Sequence, residues 1–336
     1  MTKIAVIGTT SWGTTLAIML AKTSRVFLCC RTEEEAITLN QERQNRRFLP
    51  DASFPDKLTA TSSYKDSLTN IDMLVIAVPS DRFRKNVISA IPYLPGQCII
   101  LSATKGLEVA SNQRMTEVLE DELPPALKDT LAVLSGPNLA KEISLGMPAS
   151  TIIASGNKEV ALKTQSLFHS ETFRVYTSDD VVGVELGGSL KNIIAIGAGI
   201  SDGLGYGNNS KSAFINRGLV EITRLGVALG AKPLTFSGLA GLGDLIATCY
   251  STLSRNRYFG EKIGKGNSAD TTLSSMENVV EGVNATSSAV SLAYDLGISM
   301  PITDAVHQIL LGNITAAEAV SKLMARMPSE EWLGVG

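Results

Sequence analysis

The sequence predicts an α/β protein, with an N-terminal Rossmann-like doubly wound sheet and an all-α C-terminal domain. Three observations carry this. Apolar strand-like runs alternate with helical stretches through the first half of the chain. A glycine-bearing turn follows the first of those runs. After Asp180 no further β run can be read, and only helical patterns follow. The 336 residues are long for one domain. Two are therefore expected, a dinucleotide-binding domain over 1–180 and a helical substrate and catalytic domain over 181–336.

The elements follow in chain order. Strands are expected at 3–7, 25–30, 73–78, 98–102, 131–135, 150–154 and 173–177. The first contains Ile4-Ala5-Val6-Ile7, apolar throughout, as a parallel strand covered on both faces requires. Helices are expected between them at 12–22, 32–42, 82–90, 113–122 and 159–168. In the second half they are expected at 182–201, 210–229, 243–248, 255–263, 286–296, 303–311 and 316–324, with 264–272 as a polar surface loop.

Composition narrows the function. With 30 basic and 33 acidic residues the net charge is -3, which argues against nucleic acid or an anionic membrane as the main partner. Cys29, Cys30, Cys98 and Cys249 show no C-x-x-C spacing; they read as buried free thiols of a reducing compartment. His169 and His307 are the only histidines and fit no metal-ligand pattern, so no metal is expected. The chain starts directly into its first strand without a signal peptide, so a cytoplasmic location is expected. The stretch 181–200 is long and apolar enough to span a membrane, but it carries Glu185, Lys191 and Asn192. A central Lys costs about 3 kcal/mol on insertion, so this stretch reads as a buried helix.

Gly8-Thr9-Thr10-Ser11-Trp12-Gly13 follows the first strand. Gly8 and Gly13 match the first and third glycines of G-x-G-x-x-G, the dinucleotide fingerprint, and Thr10 replaces the second. The second strand ends at Cys29-Cys30-Arg31, where NAD enzymes place an acid for the ribose 2′-hydroxyl. Arg31 suits a 2′-phosphate instead, and the nearest acid in sequence is Glu33. NADPH is therefore favoured over NADH as the cofactor.

Chemistry-bearing residues cluster in a few segments. Lys105 follows one strand, and Gly136 and Asn138 follow another; ligands of open α/β sheets bind at such strand ends. Lys191 lies in the apolar stretch, six positions from Glu185 and so on a different helix face. A buried lysine without a local partner should face a polar cavity, and its lowered pKa suits proton transfer. Asp244 and Thr248 are four apart on one face, and Asp244 could equally be a simple helix cap. Ser254-Arg255-Asn256-Arg257 places two arginines at a helix start, which is unfavourable unless an anion sits there.

These segments resemble the bacterial-type NAD(P)-dependent glycerol-3-phosphate dehydrogenase family over nearly the whole chain. The resemblance is carried by Ser11-Trp12-Gly13-Thr14, Ala103-Thr104-Lys105-Gly106-Leu107, Ser135-Gly136-Pro137-Asn138 and Phe173-Arg174-Val175-Tyr176. It continues in Leu190-Lys191-Asn192-Ile193-Ile194, Ala240-Gly241-Leu242-Gly243-Asp244-Leu245, Ser254-Arg255-Asn256-Arg257 and Val279-Val280-Glu281-Gly282. It implies interconversion of dihydroxyacetone phosphate and sn-glycerol 3-phosphate with NADPH or NADH, for glycerophospholipid synthesis, by a homodimer. Gly8, Thr10, Ser11, Trp12, Gly13, Arg31, Lys105, Ala140 and Arg255 would meet the cofactor, with Val279 and Glu281 closing over it. Lys191 would be the general acid and base, with Asp244 beside it. Lys105, Gly136, Asn138, Lys191, Asp244, Ser254, Arg255 and Asn256 would hold the substrate. The family usually has glycine where this chain has Thr10, and often a hydroxyl residue where it has Asn138. Two alternatives remain open: a hydroxy-acid or keto-acid dehydrogenase of similar build, and a cofactor-sensing regulatory module without chemistry.

Overall fold

The computed structural model describes residues 1–276, 279–328, 330 and 331. Its contacts divide the chain into two compact units: Met1–Thr104 with Met115–Val181, and Lys105–Arg114 with Val182–Gly336. The segment Lys105–Arg114 lies inside the range 1–180 expected for the first domain, yet it packs with the second unit.

The first unit holds ten strands: β1 Lys3–Ile7, β2 Arg25–Cys29, β3 Gln44–Asn45, β4 Leu49–Ser53, β5 Leu58–Thr61, β6 Met73–Ile76, β7 Ile99–Ser102, β8 Leu131–Ser135, β9 Ala149–Ala154 and β10 Phe173–Ser178. Eight form one sheet in the order β10-β9-β8-β7-β6-β1-β2-β5. Its pairs are parallel except β8 with β9. A parallel return needs a long crossover, and the stretch joining β8 to β9 contains only the five-residue helix Ala140–Ser144. The doubly wound reading thus holds, with the last two strands, β9 and β10, running against the other six.

Successive residues of β1 face opposite cores. Ile4 and Val6 pack into one cluster, and Ala5 and Ile7 into the other. That explains the unbroken apolar run. Three strands have no counterpart in the sequence reading: β5 and the separate antiparallel pair β3–β4.

The second unit's described residues form no strand of the sheet. At its centre lies the helix Val181–Gly203, hereafter the lysine helix, with every residue from Gly183 to Ser201 buried. It is long and apolar enough to cross a membrane, and 89% of its apolar window is buried inside the protein. The helix Arg255–Gly264, the arginine helix, packs on it almost backbone to backbone: a Cβ on Gly260 would lie 1.9 Å from the Ile196 carbonyl oxygen. The expected loop 264–272 is shorter than read. Ser268 accepts a hydrogen bond from the Thr271 N–H and caps a further helix, Ala269–Ser274.

One buried carboxylate fastens two helices. Glu221, on the helix Asn208–Ala228, accepts from the backbone N–H of Ile302 at 2.7 Å and of Thr303 at 3.1 Å, and from the Thr303 hydroxyl at 3.2 Å. It thereby caps the helix Pro301–Leu310, whose own cap residue Met300 offers no side-chain bond. Burial pushes the Glu221 carboxyl up to about 7, against the pull of these donors. Glu221→Ala strands the donors and is expected to cost about 3 kcal/mol. Glu221→Gln keeps an acceptor and should stay within about 1 kcal/mol of the parent. Urea unfolding of the full chain checks both; equal losses would mean the capping bonds do not matter.

Candidate functional site

The glycine turn in the first unit has the geometry its residues require. Gly8 has φ +124°, a region that disfavours any side chain, and a Cβ there would lie 2.4 Å from the Ala77 carbonyl oxygen. A Cβ on Gly13 would lie 2.0 Å from the Gly8 carbonyl oxygen. Thr10 has φ -70° and ψ 172°, extended backbone that any residue adopts, so this position does not need glycine for its conformation. Thr10 stands before the helix Ser11–Ala21 and makes no side-chain cap bond, so its side chain does not close off the amides of the first turn.

The neighbouring residues are fixed by the same unit. The Ser11 hydroxyl donates to the Phe48 carbonyl at 2.8 Å, and Trp12 Nε1 donates to the Ala103 carbonyl at 3.2 Å. Asn45, on β3, donates to the Thr9 carbonyl at 2.8 Å and to the Thr14 hydroxyl at 2.9 Å. The Ala140 carbonyl accepts from Thr15 at 3.3 Å. Arg31 stands at the end of β2 with an exposed side chain.

The acid that reaches this turn is not Glu33, the nearest in sequence, whose carboxylate takes the Ser62 hydroxyl. It is Glu35, which accepts from the Thr9 hydroxyl at 2.6 Å and from the Arg31 N–H at 3.0 Å. The sequence reading missed it. The Thr32-x-x-Glu35 spacing, which bends a carboxylate back toward its helix start, was the available signal.

At the end of β8, Gly136 has φ +138°, and a Cβ on it would lie 3.2 Å from the Thr151 Cα. Thr151 donates its hydroxyl hydrogen to the Ser135 carbonyl at 2.7 Å, so its oxygen must accept from Asn138 Nδ2, at 2.9 Å. That fixes the amide: Asn138 presents Oδ1, a buried acceptor with no protein partner among the described residues.

The second unit gathers the charged residues. Lys191 Nζ, buried on the lysine helix, donates to Asp244 Oδ1 and to the Thr248 hydroxyl, each at 2.5 Å. Lys105 Nζ donates to the other oxygen of Asp244, also at 2.5 Å. Asp244 therefore bridges two ammonium groups and does not cap its own helix, Asp244–Tyr250. Glu185 pairs with Arg114 at 2.7 Å, so the partner of Lys191 is distant in sequence. The chain comes close at Gly187, where a Cβ would lie 2.7 Å from the Ala240 carbonyl oxygen. Desolvation pushes the Lys191 amine below the usual lysine range; Asp244 and Glu281 pull it up, and Lys105 pushes it further down.

Ser254 caps the arginine helix, accepting from the Arg257 N–H at 3.2 Å. Asn256 donates to Asn192 Oδ1 at 2.9 Å and accepts from the Gly282 N–H at 3.0 Å. Asn192, beside Lys191, is a second residue the sequence reading left without a role. It is buried, and its Nδ2 lacks a partner among the described residues. Glu281 opens the helix Glu281–Asp295. Desolvation pushes its carboxyl up, while Arg255, Lys191 and Lys105 pull it down. Val279 is exposed. Three cations, Lys105, Lys191 and Arg255, thus face two carboxylates, Asp244 and Glu281.

Comparison with known proteins decides the family. The profile of the NAD-dependent glycerol-3-phosphate dehydrogenase N-terminus matches residues 3–161, and that of the C-terminus matches 180–321. The chain belongs to this family. A glycerol-3-phosphate dehydrogenase [NAD(P)+] of Dehalococcoides mccartyi is 49% identical over 99% of this chain and 94% of its own length. One from Citrifermentans bemidjiense is 46% identical over 96% of this chain and 97% of its own. The crystal structure of glycerol-3-phosphate dehydrogenase from Coxiella burnetii superposes with a TM-score of 0.91 at 38% identity, covering 97% of this chain and 99% of that one. Family membership accounts for the glycine turn and the lysine cluster together.

Proposed function

We propose that the protein reduces dihydroxyacetone phosphate to sn-glycerol 3-phosphate with NADPH or NADH, and catalyses the reverse. The observation that carries this is the buried Lys191 ammonium held on Asp244, with Lys105 on the same carboxylate. Family membership and this intact cluster favour it over a hydroxy-acid dehydrogenase or a sensing module.

The first unit fits a dinucleotide. Gly8 allows the tight turn and Gly13 the close packing of helix on turn, and the helix Ser11–Ala21 presents its N-terminus there. Ser11, Trp12, Arg31 and Ala140 would hold it there. When bound, the nicotinamide supplies the hydride that reduces the substrate carbonyl carbon.

Lys191 supplies the proton. An ammonium has three N–H donors; Asp244 and Thr248 take two and leave one for the substrate oxygen. As charge develops on that oxygen, the ammonium stabilises it and then protonates it. Asp244 orients the amine. Thr248 closes the set by also donating to Asp244 Oδ1, at 3.1 Å. The excess of cations over carboxylates suits a phosphate dianion. Arg255, at the positive end of its helix, would bind it with Ser254 and Asn256; on family membership alone, Gly136 and Asn138 would be further substrate contacts. Binding the phosphate spends remote binding energy on positioning the carbonyl.

From family membership alone we also propose a cytoplasmic homodimer that feeds glycerophospholipid synthesis. The direct test is loss of NADPH or NADH absorbance on adding dihydroxyacetone phosphate; no substrate-dependent loss with either cofactor overturns the proposal. Arg255→Ala should lower kcat/KM for the phosphorylated ketone about 100-fold, equivalent to about 2.7 kcal/mol. It should leave the slow reduction of unphosphorylated dihydroxyacetone nearly unchanged. Equal effects on both ketones would remove Arg255 from the phosphate site.

A further inference from the structure

The end of β2 contains a contradiction in charge. Arg31 there offers a cation suited to a 2′-phosphate, yet three acids, Glu33, Glu34 and Glu35, follow within four residues at the start of the next helix. Only one of them points into the glycine turn. Glu35 Oε1 accepts from the Thr9 hydroxyl at 2.6 Å and Oε2 from the Arg31 N–H at 3.0 Å. The carboxylate is thus fixed between the first residue after Gly8 and Arg31, the second residue after β2. That is where a Rossmann domain holds the ribose of the adenosine half. The Arg31 guanidinium is far less constrained, with Nε 3.8 Å from Oε2 and a side chain 75% exposed.

We propose that Glu35 sets the cofactor preference, favouring the 2′-hydroxyl of NADH and opposing the 2′-phosphate of NADPH. This rests on the reading that the first unit binds NAD(P)H. Each carboxylate oxygen has two lone pairs, so the two protein bonds leave Glu35 able to accept from a ribose hydroxyl. A 2′-phosphate in the same place puts two like charges within a few ångströms, with the exposed Arg31 guanidinium beside them as the offsetting cation. Arg31 and Glu35 then act as opposed readers of one position, and a chain that keeps both uses either dinucleotide.

The test is direct titration of the full chain with NADPH and with NADH, followed by nucleotide fluorescence and with no ketone present. Glu35→Gln keeps size and an acceptor but removes the charge. It is expected to raise the NADPH:NADH affinity ratio about tenfold. Arg31→Ala is expected to lower the ratio by a similar factor. Thr9→Val cuts the tie to the glycine turn and leaves the charge, so both affinities should fall together with their ratio kept. If Glu35→Gln fails to fold, Glu35→Asp withdraws the charge by one methylene and should raise the ratio about threefold. A ratio that does not move in the charge variants, with binding intact, overturns the role of Glu35 and leaves the dehydrogenase reading standing. A parent chain that binds neither dinucleotide overturns both.

Discussion

Lys191→Met is expected to lower kcat for dihydroxyacetone phosphate reduction by about a thousandfold or more, while NADPH still binds. Methionine keeps the length and apolar bulk of the lysine stem, so the buried helix that carries it stays filled. What is lost is the proton donor and the charge beside the forming alkoxide, which act only in the transition state. The loss should therefore fall on kcat and leave KM nearly unchanged.

The direction of the pKa shift adds a second signature. Desolvation holds the amine below the ordinary lysine range. Ketone reduction requires the ammonium, so its rate should fall as pH rises through that lowered value. Alcohol oxidation requires the free amine, so its rate should rise over the same interval. Rate–pH profiles in both directions check this. Near-normal kcat in Lys191→Met, or profiles that move the same way, would take Lys191 out of the proton transfer.

How much of this the sequence shows depends on whether the information is local. The fully buried strands were legible because a run such as Ile4-Ala5-Val6-Ile7 has no other comfortable place. Gly8 and Gly13 were legible because backbone crowding at each tolerates only a hydrogen. β3 is two polar residues, Gln44 and Asn45, too short to carry a strand signal; β5, Leu-Thr-Ala-Thr, has an apolar–polar alternation, but over only four residues.

The site divides in the same way. The shared face of Asp244 and Thr248 followed from their spacing of four. The lack of a helix partner for Lys191 was also visible, but not that its partner stands 53 residues on. Lys105 does follow the strand β7, as read, but that its segment folds with the helical unit was not visible. Glu35 and Asn192 escaped notice because their roles come from tertiary contacts with Thr9 and Asn256.

The other large effect is expected at a residue with no chemistry of its own. Gly199 and Gly203 on the lysine helix, and Gly260 and Gly264 on the arginine helix, are each four apart. A Cβ on Gly199 would lie 2.0 Å from the Arg257 carbonyl oxygen, on Gly203 2.3 Å from that of Glu261, and on Gly264 2.4 Å from that of Ile200. On Gly260 it would lie 1.9 Å from the oxygen and 2.8 Å from the carbon of the Ile196 carbonyl. All four oxygens are backbone, so no side chain can swing aside. An ordinary contact lies above 3 Å, so Gly260→Ala must drive the two helices apart by about 1 Å. Overpacking of this kind costs about 3 kcal/mol. The same shift moves Ser254, Arg255 and Asn256 away from Lys191, and a misplacement of about 1 Å costs about 100-fold in rate. Gly260→Ala should therefore lose both thermal stability and kcat/KM. Gly96→Ala, where a Cβ meets nothing within 4 Å, should lose neither. Thermal melts and steady-state kinetics on the two variants test the packing. A Gly260→Ala protein with the parent's Tm and kcat/KM would mean that the backbones do not meet, and that something other than these glycines sets the distance from phosphate clamp to proton donor.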